Sequence, residues 1–238
     1  MSLNNIIERV KKYNPPSSFS PLKIVCELIT PIALAHPYIH LDGLIMHLLL
    51  RDILKDDYYN LPSKSPIDFG QYLRPPLKKS GKVYHASVSF FDIQDVYVTT
   101  IYKRFCTEYL DHLTAHKKKI RRGTGHFKDF MIRLPYIPAK TVTFYANGNI
   151  GEIERLLAAL EALGKKTAYG FGLIRSIEVE EMKEDWSVVK NGKAMRPIPM
   201  SMLDYAEKQV ALAYKPPYWD KRNVAICVPP GAEVRLHG

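Results

Sequence analysis

At 238 residues and 46% hydrophobic content, the chain has room for one large domain or two small ones and enough apolar matter for a proper core, which excludes disorder of the whole. With 34 Lys and Arg against 24 Asp and Glu, the formal charge of +10 favours polyanions, so nucleic acid or an anionic membrane leads the list of expected partners. Cys26, Cys106 and Cys227 stand far apart within apolar runs and read as buried thiols of a reducing compartment. The longest apolar run, Leu44 to Leu50, is broken by His47 and is too short to span a bilayer, so a soluble, cytoplasmic protein is expected.

Residues 1–21 read as a lead-in, a short amphipathic piece ending in the turn Asn14-Pro15-Pro16-Ser17-Ser18. Lys23 to Ile29 alternates as a strand. A helix is expected from Leu41 to Lys55, apolar at Leu41, Leu44, Ile45, Leu48 and Leu49, with a polar stripe at His47, Arg51 and Lys55. Residues 56–82 lack periodicity and look like an insertion; Tyr58, Tyr59, Phe69 and Tyr72 in it suggest an exposed protein interface. Tyr84 to Phe91 and Val96 to Phe105 carry the alternation of paired strands, and further strands are expected at Phe130 to Leu134 and Thr141 to Tyr145. The strongest signal is a helix from Ile150 to Leu163, with Asn149 as cap, Glu152 at the capping-box position and Gly164 as its stop. A strand follows from Leu173 to Glu180. The remaining residues, 183–238, read as an appended subdomain with a turn at Asn191-Gly192, a helical stretch near Leu203 to Ala213 and a strand at Val224 to Val228.

Between the last helix and strand of the body lies Gly164-Lys165-Lys166-Thr167-Ala168-Tyr169-Gly170-Phe171-Gly172. Glycines take positive φ and let a main chain approach phosphate or ribose, lysines supply charge, and rings supply faces for bases, so the loop reads as a backbone cradle for nucleic acid. Tyr169 and Phe171 alternate with glycines and could share one face; the competing reading is that Phe171 plugs the core at the start of the strand. A second basic segment, Lys117-Lys118-Lys119-Ile120-Arg121-Arg122-Gly123-Thr124-Gly125-His126-Phe127-Lys128, contains six Lys or Arg, one His and no acid, and reads as a further RNA contact rather than a merely solvated loop. In symbols, residues 22–182 read β, α, several β, α, β, an α+β ferredoxin-like sandwich with insertions at about 56–82 and 110–128.

Leu41-Asp42-Gly43-Leu44, the run Arg122 to Lys128, Phe144-Tyr145-Ala146-Asn147-Gly148 before a leucine-rich helix, and the glycine loop together resemble the RAMP proteins of CRISPR effector complexes. With Asp185-Trp186-Ser187 and Arg196-Pro197 downstream, the chain looks most like the Cas-five-type subunit of type IV systems. The resemblance covers roughly residues 22–200. It implies an RRM-related body that binds the 5′ handle of the CRISPR RNA and caps a filament of backbone subunits beside a large subunit, meeting target nucleic acid only through the complex. It also implies a thumb, best matched here by His112 to Lys128. The RNA-binding residues expected are Lys117, Lys118, Lys119, Arg121, Arg122, His126, Lys128, Gly164, Lys165, Lys166, Tyr169, Gly170, Phe171, Gly172 and Arg175.

Several RAMP relatives cleave the CRISPR transcript without metal, using His with Lys or Tyr as base and acid. His126, and His36 and His40 with Tyr38 between them, are the candidates here for such chemistry; the resemblance favours binding without cleavage. His40 and His47 lie two helical turns apart, and the pair His112 and His116 has no completing ligand nearby, so no metal site and no cofactor are expected. No phosphate-binding Walker loop or nucleophile elbow is present.

Overall fold

The computed structural model describes residues 3–62, 67–106, 108, 120–125 and 127–237. A short helix α1 (Leu3–Lys11) leads into β1 (Ser20–Leu28), the two-residue strand β2 (Ile32–Ala33) and the helix α2 (Leu41–Leu54). Two 3-10 turns, Lys55–Asn60 and Phe69–Gln71, precede the small hairpin of β3 (Lys79–Ser80) and β4 (Val83–Tyr84). Then come β5 (Phe90–Phe91), β6 (Tyr97–Lys103), β7 (Phe130–Ile137), β8 (Thr141–Gly148), α3 (Ile150–Leu157) and β9 (Ile174–Glu181). The remainder is β10 (Val189–Lys190), β11 (Lys193–Ala194), β12 (Ile198–Pro199), β13 (Leu203–Ala206), β14 (Val210–Ala213), β15 (Val224–Val228) and β16 (Val234–Leu236).

The body is a four-stranded antiparallel sheet in the order β5-β8-β1-β9, with α2 and α3 each crossing between its strands. β1 alternates strictly: Leu22, Ile24, Cys26 and Leu28 are buried, while Lys23, Val25 and Glu27 point to the other, half-open face. Val142, Phe144 and Ala146 of β8 line the same inner face and meet Ile45 and Leu49 of α2 and Ile153 and Leu156 of α3. Each large side chain buried there contributes roughly 1.5–3 kcal/mol relative to exposure, so this layer dominates the stability of the body. The helix α1 seals α2 from outside through Ile6 and Val10, and Arg9 reaches Asp57 at 2.6 Å.

Several expectations need correction. The helix after Asn149 stops at Leu157, six residues early. Asn149 does accept from the Glu152 amide at 3.0 Å, but the Glu152 carboxylate turns to Arg155 and Tyr13 instead of back to the cap, leaving half a capping box. The early stop has a tertiary cause. Leu163 donates to Gly172 O at 2.8 Å and Ile174 to Glu161 O at 3.0 Å, so strand-like pairing with the far side of the glycine loop captures the residues that would have formed the last helical turn.

The strand β6 does not pair with residues 84–91; it forms a long hairpin with β7, Tyr97 opposite Tyr136 and Lys103 opposite Phe130. Phe90 and Phe91 add instead to the edge of β8, where Asp92 caps the backbone of Lys140 and Thr141. The aromatic residues of the 56–82 segment are not a free surface as a set: Phe69 is buried, Tyr58 and Tyr72 pack on the main core, and only Tyr59 stands 73% exposed. Cys26 and Cys227 are buried thiols but Cys106 is exposed, because it lies beyond β6, where the hairpin has left the core. The stretch Leu203 to Ala213 is not helical; it forms β13 and β14, which pair with β16 and β15 respectively. Asn191 and Gly192 take φ of 49° and 73°, the double positive turn that closes a two-residue hairpin between β10 and β11.

No helix among the described residues is long and apolar enough to cross a membrane, which says nothing of β-barrels.

Candidate nucleic-acid interface

The glycine loop is stitched to the connection between β1 and α2 at both ends. Lys165 donates to Ala33 O at 2.7 Å, Gly172 to Pro31 O at 2.8 Å, and Leu173 to the Thr30 hydroxyl at 2.9 Å. Gly164 and Gly172 therefore serve the fold: at φ of 87° and 67°, a Cβ on the first would lie 2.4 Å from Ala33 O and on the second 1.9 Å from Leu163 O. Gly170 differs. Its φ is 86°, yet nothing lies within 4 Å of where a Cβ would be, so the space beside its backbone is open.

The arc between these anchors projects outward. Lys166 is left-handed at φ 62° and starts a 3-10 turn, Thr167–Tyr169. Its ammonium lies 5.1 Å from the centroid of Tyr169 and 5.9 Å from that of Phe130, which holds charge against flat rings. Tyr169 is 52% exposed, whereas Phe171 is half-buried and tilts against Tyr136, which stacks on Tyr97. Of the two readings of the aromatic pair, Tyr169 offers a free face and Phe171 is the one packed against the body.

Beneath the loop lies a cavity of about 970 Å³ bounded by the β2–α2 connection, the outer face of α2 and residues 159–168. His36, Tyr38, His40, Arg51 and Lys165 all reach its wall, with Glu161 as its acid. The fold thus unites the histidine turn and the glycine loop, which are more than a hundred residues apart in sequence. Lys165 has no ion-pair partner among the described residues; Arg51 makes only a 3.4 Å contact to the Tyr59 hydroxyl. His40 lies flat on Tyr218 at 3.5 Å, with Tyr38 edge-on at 5.1 Å. Burial lowers its pKa to about 4, so it is a neutral ring at pH 7. Burial likewise raises the Tyr38 phenol.

The motif residues outside the loop turn out to be clamps. Asp42 and Arg196 are both about 1% exposed and pair at 3.1 Å, and Arg196 also donates to the carbonyls of Tyr84, Ala86 and Tyr214. Tyr218 donates to Asp42 at 2.6 Å, and its ring lies 3.3 Å from where a Cβ on Gly43 would be, which explains the Leu-Asp-Gly start of α2. Burial alone would raise the Asp185 carboxyl, but hydrogen bonds from His85, Ser187 and Asn147 hold it well below the usual carboxylate range. These two clusters fasten residues 183–238 to the body and so set Tyr218 beside His40 on the cavity wall.

The remaining expected contacts are dispersed. Arg122 pairs with Asp129 at 2.6 Å, and Asp129 accepts from the Phe105 amide, so Arg122 closes the base of the segment beyond β6 and β7. Arg121 and Lys128 are exposed there. Arg175 lies on β9 beside Glu27 at 3.5 Å, away from the cationic wall. Lys117, Lys118, Lys119 and His126, with His112, His116 and most of the segment at 110–128, lie outside the described residues. Arg51 stands on the polar stripe of α2, which nothing in the sequence ties to the site, and Tyr218 carries no local signal at all. Among the described residues no group of three or more His, Cys, Asp or Glu is arranged to hold a metal ion.

No curated protein matches the sequence. Among solved structures, the chain is similar to one in "Cryo-EM structure of the Type III-B Cmr-beta bound to cognate target RNA", at 10% identity and a TM-score of 0.38. That likeness covers 75% of this chain and spans 65% of the other. The family model described as CRISPR type IV associated protein Csf3 matches residues 89–230, more than half of the sequence. The chain belongs to the Csf3 family of type IV CRISPR-associated proteins.

Proposed function

We propose that this chain is the non-catalytic RNA-binding subunit of a type IV CRISPR ribonucleoprotein, a ferredoxin-like body that holds the 5′ handle of the CRISPR RNA and caps the backbone filament. The observation that carries the reading is the glycine loop: anchored at both ends, it presents Lys165, Lys166 and Tyr169 and the open backbone of Gly170 above a cavity walled by Arg51 and His36. Family membership supports the CRISPR setting, and the +10 charge of the chain supports a polyanionic ligand. The β6–β7 hairpin leads into the segment expected to act as a thumb, reaching the neighbouring filament subunit. The experiment is Lys165→Ala with Lys166→Ala: incorporation of CRISPR RNA into the complex should fall while the melting temperature is kept. Normal incorporation would make the loop a structural turn and refute the reading.

A second reading, metal-independent cleavage of the CRISPR transcript, is favoured by one observation, the convergence of His36, Tyr38, His40 and Lys165 on one cavity. The neutral, ring-stacked state of His40 counts against it, since a group titrating near pH 4 is a weak base at neutral pH. Incubating repeat RNA with the protein in EDTA decides between the two, because such cleavage leaves a 2′,3′-cyclic phosphate.

A further inference from the structure

Along the segment Leu34 to Tyr38 lies a second recess of about 560 Å³, and Tyr136, on which Phe171 of the glycine loop packs, is part of its lining. Its walls include four rings, Tyr38, Phe90, Phe91 and Tyr136, and its polar groups include the exposed amide of Gln94 and the Ser89 hydroxyl. Ser89 is buried and fixed in place by the Ile39 amide, which donates to its oxygen at 2.9 Å. The recess and the cationic cavity share Leu34, Ala35, His36 and Tyr38, so this short segment is a wall common to both spaces.

From this arrangement we infer that the recess receives a single unpaired nucleobase of the RNA strand whose phosphates lie over Lys165 and Arg51. The inference rests on the RNA-binding reading of the glycine loop and adds a site to it. A strand crossing the wall at His36 would leave its charge on the cationic side and carry an uncharged, flat, edge-polar group to the aromatic side. Rings supply the stacking faces, and an amide such as that of Gln94, with both donors and an acceptor, suits the mixed edge of a base. A purely apolar ligand would make no use of Ser89 and Gln94. The volume lies within the ~300–1,000 Å³ usual for small-ligand sites.

The test is an abasic scan. Single-stranded RNA of the repeat-derived handle sequence, with the base removed at one position at a time, is titrated against the protein, its Phe90→Ala and Gln94→Ala variants and the Lys165→Ala, Lys166→Ala variant. Removing one particular base should weaken binding roughly tenfold, within the range for one stacked base. Phe90→Ala should weaken the intact RNA by a similar factor but add little once that base is missing. Gln94 is exposed, so its variant keeps the test open if Phe90→Ala folds poorly. If every abasic RNA binds like the intact one while the lysine variant still loses affinity, the recess has another occupant, such as a side chain of a neighbouring subunit, and the inference falls while the loop reading stands. If the lysine variant binds as well as wild type, both fall.

Discussion

Replacing Gly172 by Ala places a methyl group 1.9 Å from Leu163 O, which must retreat by about 1.5 Å to reach ordinary contact at 3.4 Å. That shift is incompatible with two backbone hydrogen bonds, Leu163 to Gly172 O and Gly172 to Pro31 O, both 2.8 Å, each worth roughly 0.5–1.5 kcal/mol net. An L-residue at φ 67° costs about a further 1 kcal/mol. The total is about 3 kcal/mol, or a melting temperature lower by roughly 6–12 °C for a chain of this size. Gly170→Ala meets no neighbour and carries only the φ cost, about 1 kcal/mol or roughly 2–4 °C. Thermal unfolding of the two variants side by side is the assay. Equal losses, or a larger loss at Gly170, would refute the division of the loop into structural anchors and an open arc.

Two further perturbations address the clamp and the cavity. Asp42→Asn should cost about 3–5 kcal/mol in urea unfolding because it leaves Arg196 charged and buried, whereas Asp42→Leu with Arg196→Met should cost less than the sum of the two single changes; a fully additive double variant would deny their coupling. His40, whose folded pKa near 4 is below its ordinary 6.5, binds fewer protons folded than unfolded between those values, so its contribution is complete above pH 6.5 and lost as pH falls toward 4, by at most about 3 kcal/mol. His40→Phe, which keeps a ring on Tyr218, should flatten stability over that window, and an unchanged acid slope would show that His40 is not the group responsible.

How much was legible in the sequence depended on whether the deciding partner was local. β1 and β8 announce themselves through alternation, α2 through its apolar spacing, and Asn149 and Asn191-Gly192 through turn chemistry confined to a few residues. The end of α3 was not legible, because Ala158 to Leu163 has good helical composition and loses to backbone pairing with Gly172 and Ile174, which only the folded chain brings near. Leu203 to Ala213 failed for the same reason, its strands being set by β15 and β16.

The candidate site divides in the same way. Lys165, Lys166 and Tyr169 were readable as a charged aromatic loop because their chemistry is contiguous. The cavity beneath was only partly readable: His36, Tyr38 and His40 stood out as histidine and tyrosine in a turn, but nothing local ties them to Lys165, and Tyr218 arrives through the Asp42–Arg196 clamp. Asp185 and Arg196 served as family markers in the sequence, and the structure gives them a physical task, fastening residues 183–238 to the body.

In the proposed complex, the strand of the CRISPR RNA handle runs over the glycine loop and the cavity below it. Photo-crosslinking of the assembled complex, with 4-thiouridine placed through the handle and the attachment points read by mass spectrometry, locates that path. Crosslinks are expected on residues 165–171 and on the wall between His36 and Arg51, and they should be lost in the Lys165→Ala, Lys166→Ala variant. Crosslinks confined to residues 183–238 other than Tyr218, or to the outer face of the sheet around Lys23 and Tyr145, would contradict this path.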